Sequence, residues 1–305
     1  MGAFIVRRFL RGLLTLWVVV TVVFFGLRLS GDPLFALLGT EASPEAYESM
    51  REKLGLDESL PEQYARYVGL VVTGDFGESI RERRPVTEAV FDRLPATAQL
   101  AAASMVVSVV VGIPMGVIAA RKRNSLVDRG LMALAFFGQS APNFFVGILL
   151  ILLFSMWLTV LPSSGRGSWQ HLIMPTITLS TFGIASLARL TRSSVLEVMN
   201  QDYVRTARAK GLRSRSVLTN HILRNAMIPV VTVFGLQAGL AISGAVVTET
   251  VFAWPGMGRL AATSVFTRDY PVVQFIVMLI ALTVVVANFL IDILYGVLDP
   301  RITRG

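Results

Sequence analysis

The sequence predicts an all-α polytopic membrane protein with six transmembrane helices, and its composition and its apolar segments both lead to this class. Apolar residues make up 53% of the 305-residue chain and charged residues only 16%, a balance that soluble domains do not normally show. Six segments contain the roughly 20 largely apolar residues that a helix needs to cross a bilayer. The six segments are residues 9–29, 96–120, 131–160, 172–190, 227–252 and 272–298.

The first apolar segment is predicted to be a retained anchor, within an N-terminal anchor region of residues 1–30. Arg7, Arg8 and Arg11 precede it, as basic residues precede the apolar part of a secretory signal. The apolar run is longer than that of a signal peptide, however, and no small-x-small cleavage motif follows it. We therefore expect helix 1 to stay in the membrane.

The polar segment of residues 31–94 is predicted to form a small helical insertion on the extracytoplasmic side after helix 1. Residues 44–56 carry apolar side chains at roughly helical spacing, with a proline near the start and a glycine near the end. A second amphipathic helix is predicted through Tyr64 and Tyr67, and it ends at Gly74. The segment is either a surface lid without a selective role or a contact for an external receptor.

The third apolar segment, residues 131–160, is too long for one straight crossing. Its middle reads FFGQSAPN, and a proline disfavours helix in the residue before it, so we expect a kink near Pro142. Gln139, Ser140 and Asn143 flank this kink. Because polar groups that face lipid lack partners, we expect them to face a central cavity or a partner subunit, or else to satisfy the kinked backbone.

The distribution of Lys and Arg predicts that both termini face the cytoplasm. With six crossings, most of the 28 basic residues fall on the side of the termini. The long segment on the opposite side counts little, because long loops translocate largely regardless of charge. The net charge of +8 follows from this asymmetry and does not indicate nucleic-acid binding, since no basic stretch is combined with a recognition fold.

The loop between helices 4 and 5, residues 191–226, contains the ordered basic motif RTARAKGL. Strong helix formers occupy about two turns, and the following glycine stops or bends the helix. Tyr203, Val204, Ala207 and Leu212 can lie toward one face of this helix while the basic side chains stay hydrated. The alternative is a basic loop that only sets topology, but topology requires no particular spacing of Gly, Ala or Pro.

A second motif, GAVVTETVFAWPGMG, occupies residues 244–258 at the predicted outer end of helix 5. Glu249 follows a long apolar run, and an ionisable group at membrane depth indicates a functional site because its desolvation is costly. The simpler interpretation, which we weight more, is that Glu249 caps or braces the turn from Trp254 to Gly258. Pro255 would fix φ in that turn, and we expect its glycines to tolerate positive φ.

Several chemistries are excluded by composition. The chain has no Cys, so thiolate metal sites, disulfides and cysteine nucleophiles are absent, and its two His are too far apart in sequence to indicate a metal pair. No lysine lies in the Gly-Lys-Ser/Thr sequence of a phosphate-binding loop. An intramembrane enzyme lacks a nucleophile–base or metal constellation. If transport is driven by ATP, the ATPase must be another polypeptide.

In combination, these motifs resemble those of the permeases of binding-protein-dependent ABC importers, and most closely the B-type transmembrane subunit of the dipeptide/oligopeptide branch. The resemblance rests on RTARAKGL with Ile228–Pro229, on GAVVTETVFAWPGMG with the later RDYP, and on the series GDP, LPEQYARY and GDFGES between residues 31 and 79. One departure is that Arg205, Thr206 and Ala207 stand where many relatives have Glu-Ala-Ala, which weakens any contact borrowed from that glutamate.

The resemblance implies a type-I ABC importer transmembrane domain, with core helices 2–6 in residues 95–298 and a cytoplasmic tail at 299–305. It also implies a bacterial inner-membrane location, a second permease subunit (a C-type paralogue), two cytoplasmic ATPase subunits and an extracytoplasmic substrate-binding protein. The chain would bind no cofactor itself, and its partner ATPases would use ATP and Mg. Di- or oligopeptides are the expected cargo, with nickel complexes, glutathione or sugars as alternatives. The alternative class is an ATPase-independent secondary transporter, which usually buries charged coupling residues near the midplane.

The resemblance further implies two groups of site residues and no catalytic or metal-binding residue. Within RTARAKGL, the small residues Ala207 and Gly211 suit a close approach to a groove on an ATPase. The ATPase-coupling residues are Tyr203, Arg205, Thr206, Ala207, Ala209, Lys210, Gly211 and Leu212. The residues of the translocation pathway or gate are Gln139, Ser140, Asn143, Glu249 and Trp254.

Overall fold

The computed structural model describes residues 2–29, 34, 43–53 and 55–298, and within these ranges it contains helices and no β-strand. The GDP motif at residues 31–33 and the predicted tail at 299–305 lie outside the described residues. The α-helices are α1 (Gly2–Leu29), α2 (Pro44–Lys53), α3 (Leu60–Thr73), α4 (Val86–Phe91), α5 (Leu94–Arg121), α6 (Leu126–Ser140), α7 (Asn143–Leu150), α8 (Gln170–Met199), α9 (Asp202–Ala209), α10 (Arg224–Val251), α11 (Met257–Phe266) and α12 (Tyr270–Leu298). Two π-helical segments are π1 (Ile151–Trp157) and π2 (Val217–Leu223), and a single helical turn at Ser214–Ser216 precedes π2.

Five helical stretches among the described residues are long and apolar enough to cross a membrane, and the number is six when a bent helix pair is counted as one span. This number agrees with the six apolar segments of the sequence. The five stretches are Val6–Leu29, Val86–Arg121, Gln170–Met199, Ser214–Gly235 and Tyr270–Phe289, and the bent pair is Leu126–Ser140 with Asn143–Trp157.

The kink expected near Pro142 is confirmed, and it is a complete break in the helix. α6 ends at Ser140, α7 begins at Asn143, and the two halves of the span meet at 108°. Ala141 and Pro142 between them have extended backbones, as expected for a proline and the residue before it. The third span is therefore two short helices, not one bent helix.

One compact unit comprises residues 1–97 and 255–305. Within it, α1 packs along α12, and Gly12 gives the close approach, because a Cβ there would lie 2.8 Å from Val285. The predicted amphipathic helix is present as α3, which ends at Gly74 with φ 76°. α3 packs on α1: the ring of Phe24 lies 5.4 Å from that of Tyr64 and 5.5 Å from that of Tyr67.

The other compact unit, residues 98–254, has α8 at its centre, in contact with α6, α7 and α10. Small residues on α5 also let that helix approach α8 closely, as is common where helices pack in a membrane. A Cβ on Gly112 would lie 2.9 Å from the Ile184 carbonyl oxygen, and one on Gly116 would overlap the Ala188 carbonyl oxygen. The Ser108 hydroxyl lies 3.4 Å from the Ser180 carbonyl oxygen.

Three local expectations are corrected by the structure. The fourth span does not end at residue 190 but continues to Met199, because Thr191, Ser194 and Val195 stay buried on one face. The loop expected at residues 191–226 therefore begins inside α8. A positive φ of 48° falls on Ala253, just before the WPGMG turn, whereas Gly256 within the turn has φ −98°. Helix α11, just after this turn, was not predicted.

Candidate functional site

The motif RTARAKGL lies on α9, a helix of eight residues that follows α8 almost directly. Its backbone leaves the helical conformation at Lys210, and Gly211 has φ 75°. Glycine adopts this left-handed conformation without a steric penalty, which explains why the helix ends there. The short helix expected at this place, with a stop at Gly211, is confirmed.

One face of α9 is buried against the chain itself. Val204 and Ala207 are 0% and 4% exposed, and they belong to a hydrophobic cluster that joins α9 to α5, α8, π2 and α10. We call this the anchor cluster. Its other members are Ala120, Val195, Val217, Ile222 and Ala226. A helix this short is marginal alone, and the anchor cluster attaches it to π2 and to the ends of the longer helices α5, α8 and α10.

The expectation that Ala207 approaches a groove on an ATPase is wrong. Ala207 points into the anchor cluster, where a small side chain lets α9 lie close to its own neighbours. Gly211 is exposed and no atom lies within 4 Å of a Cβ built on it, so its positive φ is the reason for glycine there. Tyr203 and Leu212 do not share the buried face, because they are 44% and 43% exposed.

The opposite face of α9 is open and carries most of the expected coupling residues. Two apolar side chains and several basic ones lie on it, and the Tyr203 hydroxyl accepts a hydrogen bond of 3.1 Å from Asn225 Nδ2. We call this exposed set the α9 outer face. It consists of Tyr203, Arg205, Thr206, Arg208, Ala209, Lys210, Gly211 and Leu212.

A cavity of about 460 Å³ lies beside the break in the third span, and we call it the α6–α8 cavity. Gln139 lines it, whereas Ser140 and Asn143 are not among the lining residues, and a place in the translocation pathway stays a prediction for all three. Ser140 is exposed and Asn143 is half-buried. The lining residues are Met132, Gln139, Ser186, Arg189, Leu190, Arg192, Ser193 and Val233.

The sequence reasoning missed the polar wall that α8 contributes to this cavity. Ser186, Arg189 and Ser193 are spaced three and four residues apart, which places them on one face of a helix. The signal was visible, but α8 had been expected to end near Leu190. Arg189 therefore stood next to the expected end of the helix, and Ser193 fell in the expected loop.

Hydrogen bonds fix the polar side chains around this cavity. The Arg189 guanidinium donates to the Gln139 carboxamide oxygen, and Gln237 Nε2 donates to Ser186 Oγ at 2.8 Å. Arg192 donates through Nε and Nη2 to the two carboxylate oxygens of Asp128, at 2.7 and 2.8 Å. This bidentate geometry is typical of strong arginine–carboxylate pairs. The pair links the start of α6 to α8.

The two other predicted gate residues lie in a packed turn of the same unit. Glu249 is fully buried and Trp254 nearly so, and the Glu249 carbonyl oxygen accepts the Trp254 N–H at 2.8 Å. The Arg166 guanidinium lies 5.7 Å from the centre of the Trp254 ring. The main chain of Glu249 thus takes part in the turn. A role in gating stays a prediction for both residues.

In the unit of residues 1–97 and 255–305, the structure joins two motifs that the sequence had shown only separately. The Asp269 carboxylate of RDYP accepts hydrogen bonds from Ser79 Oγ at 2.5 Å and from the N–H groups of Ile80 and Arg81 at 3.2 and 3.3 Å. Ser79 and Asp269 are both buried. Hydrogen bonds therefore connect the end of GDFGES to the turn between α11 and α12.

Next to this contact, Glu82 is held by two arginines. Arg93 Nη2 and Arg84 Nε donate to its carboxylate at 2.7 and 2.8 Å, and Arg84 also reaches Asp92 at 2.6 Å. Although partial burial works in the opposite direction, hydrogen bonds from Arg93 and Arg84 hold the pKa of the Glu82 carboxylate below its ordinary value.

Comparison with known proteins connects this architecture to one group of transport proteins. Residues 112–304 match the family model described as "Binding-protein-dependent transport system inner membrane component". Residues 1–101 match "Binding-prot-dependent transport system membrane comp, N-term". The "Glutathione transport system permease protein GsiC" of Escherichia coli (strain K12) is 44% identical over 300 residues, which cover 98% of both chains. The protein of the same name from Shigella flexneri serotype 5b (strain 8401) matches equally well.

Solved structures show the same fold at low sequence identity. The inward-facing MetNI methionine ABC transporter, in its CY5 native crystal form, matches with a TM-score of 0.59 at 17% identity, covering 70% of this chain and 97% of that one. An amino acid ABC transporter crystallised with histidines matches with a TM-score of 0.54 at 15% identity, covering 68% and 93%. The type-I importer fold expected from the sequence is confirmed.

Proposed function

The chain belongs to the family of binding-protein-dependent transport system inner membrane components, and from this membership we propose that it carries short peptides across the bacterial inner membrane. It is a permease subunit of an ABC importer. The relatives named for glutathione support the cargo class, because glutathione is itself a tripeptide. Glutathione is therefore as good a candidate as ordinary di- or oligopeptides.

The observation that carries this proposal is that α9 is buried on one face and exposed on the other. Its inner face is anchored to α5, α8, π2 and α10, while its outer face presents Tyr203, Lys210 and Leu212 to the surroundings. A partner that pushes on the outer face moves the ends of several membrane helices together. This is the mechanical requirement for coupling an ATPase to a transport pathway.

The proposal assigns ATP hydrolysis to other subunits. The sequence has no phosphate-binding loop, so ATP and Mg²⁺ would be bound by two cytoplasmic ATPase subunits. A second permease subunit and an extracytoplasmic binding protein complete the assembly. We place α9 and both termini in the cytoplasm, and α2 and α3 outside, following the distribution of Lys and Arg.

The pathway is proposed to pass the α6–α8 cavity, where Gln139 lies. Ser140 and Asn143, at the break between α6 and α7, would face the pathway above or below this cavity. Glu249 and Trp254 would form part of a gate at the outer end of α10. The packed turn that holds them supports a gate that moves as one piece.

The test reconstitutes the chain with its partner permease, ATPases and binding protein in proteoliposomes. Lys210→Glu reverses a charge on the α9 outer face, and we expect retention of the ATPase subunits and peptide uptake to fall together by about tenfold. Arg129→Glu makes the same charge change at an exposed position on α6 and serves as the control. An equal loss of ATPase retention and peptide uptake in Lys210→Glu and Arg129→Glu would contradict the proposal. Uptake that needs no ATPase would also contradict it. Competition between radiolabelled dialanine and glutathione decides between the two cargoes.

A further inference from the structure

The α6–α8 cavity carries one positive charge that no carboxylate of the described residues neutralises. Two arginines line it, and Arg192 is paired with Asp128 through two hydrogen bonds. Arg189 bonds only to the neutral carboxamide of Gln139, and within the described ranges it has no ion-pair partner. Arginine keeps its charge under all ordinary conditions, so the cavity has a permanent cationic wall.

The position of Arg189 makes a purely structural role costly. It lies in α8, within a candidate membrane span, where a charged side chain is expensive and usually belongs to a substrate or ion path. Arg192, one turn further along α8, is paired with Asp128, whereas the Arg189 side chain is exposed. Gln139 instead holds the guanidinium by one edge, which leaves donor groups of the planar fork available to a ligand.

The remaining lining residues suit a small organic anion. Ser186 and Ser193 lie on the same helical face as Arg189, and Met132, Leu190 and Val233 provide apolar surface. The volume of about 460 Å³ lies within the range of sites for small molecules. None of the described lining residues is acidic, so the cavity offers no carboxylate to a free amino group. Its arginine offers a planar pair of donors that matches a carboxylate.

We propose that the α6–α8 cavity binds the carboxylate group of the cargo during its passage and that Arg189 is the residue that recognises it. The inference rests on the proposed function for the identity of the cargo, but the anion site itself does not depend on that identity. Gln139 is a positioning residue, because it orients the guanidinium. The site favours cargo with a free carboxylate over the same cargo with that group amidated.

The first test uses the absence of cysteine in the natural chain. Ser193→Cys places a single thiol on the cavity wall, and its reaction rates with an anionic and a cationic methanethiosulfonate reagent are measured on the purified permease in nanodiscs. We expect Arg189→Gln to lower the ratio of the anionic to the cationic rate by about tenfold. Arg129→Gln, an exposed charge outside the cavity, should leave the ratio unchanged. Arg189→Met replaces the glutamine variant if that one does not fold.

Protection of the same thiol identifies the ligand chemistry. Dialanine with a free carboxylate should slow the reaction of the anionic reagent, and dialanine amide should not. Arg189→Lys should keep the rate ratio, since the charge stays, but should weaken the preference for the free acid. A ratio that does not respond to Arg189→Gln, or equal protection by acid and amide, overturns the proposal.

The second test measures uptake by the complete importer in proteoliposomes. Arg189→Gln should lower uptake of dialanine by about tenfold and leave uptake of dialanine amide nearly unchanged, with the same binding protein in both cases. An equal loss for both peptides overturns the carboxylate site. If the natural chain moves neither peptide, the peptide cargo is wrong, and the thiol rates still decide whether the site exists.

Discussion

At the scale of single residues, the salt bridge between Asp128 and Arg192 links the membrane helices α6 and α8. Asp128 is 4% exposed, and both of its carboxylate oxygens accept hydrogen bonds from Arg192. It also accepts the N–H of Asn124 at 2.9 Å. Removing one member of a buried pair leaves the other as an uncompensated charge, whereas removing both does not.

We therefore predict that Arg192→Leu destabilises the protein by about 3–5 kcal/mol, because the buried Asp128 loses its counter-charge. The double variant Asp128→Leu/Arg192→Leu should recover a large part of this loss. Thermal unfolding in detergent measures both, and Arg129→Leu, at an exposed position, serves as the control. A double variant less stable than Arg192→Leu would show that the pair is not the cause.

The Glu82 cluster predicts a dependence of stability on pH. Because the folded-state pKa of this carboxylate is lowered, its contribution is fully present above the ordinary value of about 4.3 and is lost as the pH falls through the lower folded value. Glu82→Gln should cost about 1 kcal/mol or less at neutral pH, because the cluster is partly exposed. The difference in Tm between the two proteins should shrink as the pH falls below 4. A Tm difference between the two proteins that grows as the pH falls would contradict a lowered pKa of Glu82.

The residues of the candidate site could be predicted only in part from sequence. Gln139 followed from a local rule, because a polar group beside a proline break needs a partner. The inward orientation of Ala207 depends on Val195, Val217 and Ile222, which come from other segments of the chain. The eight residues of α9 alone do not show which face of the helix will be buried against other segments of the chain.

At the scale of elements, the close contact between α5 and α8 depends on glycine. We predict that Gly116→Ala costs about 1–3 kcal/mol, the usual effect of overfilling a packed contact, since the new Cβ would lie 2.7 Å from that of Thr191 and overlap the Ala188 carbonyl oxygen. The same change at Gly130, where a Cβ would meet nothing within 4 Å, should stabilise α6 by about 0.5–1 kcal/mol. Thermal unfolding of the two variants compares them directly, and equal shifts would argue against glycine packing.

Some helix boundaries could be predicted from the sequence and others could not. The break at Pro142 follows from the backbone geometry of one residue, so it was predictable. The continuation of α8 to Met199 was not, because residues 191–199 are polar enough to indicate a loop and are helical through packing of Ser194 and Val195.

At the scale of the whole molecule, composition and apolar length identified the class, because a bilayer admits few architectures. The orientation in the membrane is predicted from the distribution of Lys and Arg, and labelling tests it directly. We expect Glu48→Cys on α2 to react with an impermeant maleimide added to intact cells, and Lys122→Cys, between α5 and α6, to react only after permeabilisation. Both positions are exposed, so accessibility depends on the side of the membrane. The reverse pattern would invert the topology.

The length of α8 sets a mechanical scale for transport. Thirty residues give a rod of about 45 Å, so a tilt of about 10° around one end moves the other by about 8 Å. Arg189 lies ten residues from the end that carries α9, and it therefore travels a fixed fraction of any stroke applied there. α6 and α7 both pack against α8, so a displacement of α8 acts on both halves of the broken helix pair. A small angular displacement of α8 applied at its α9 end would therefore change the shape of the α6–α8 cavity, and a flexible residue inserted in the middle of α8 would reduce that displacement without weakening docking.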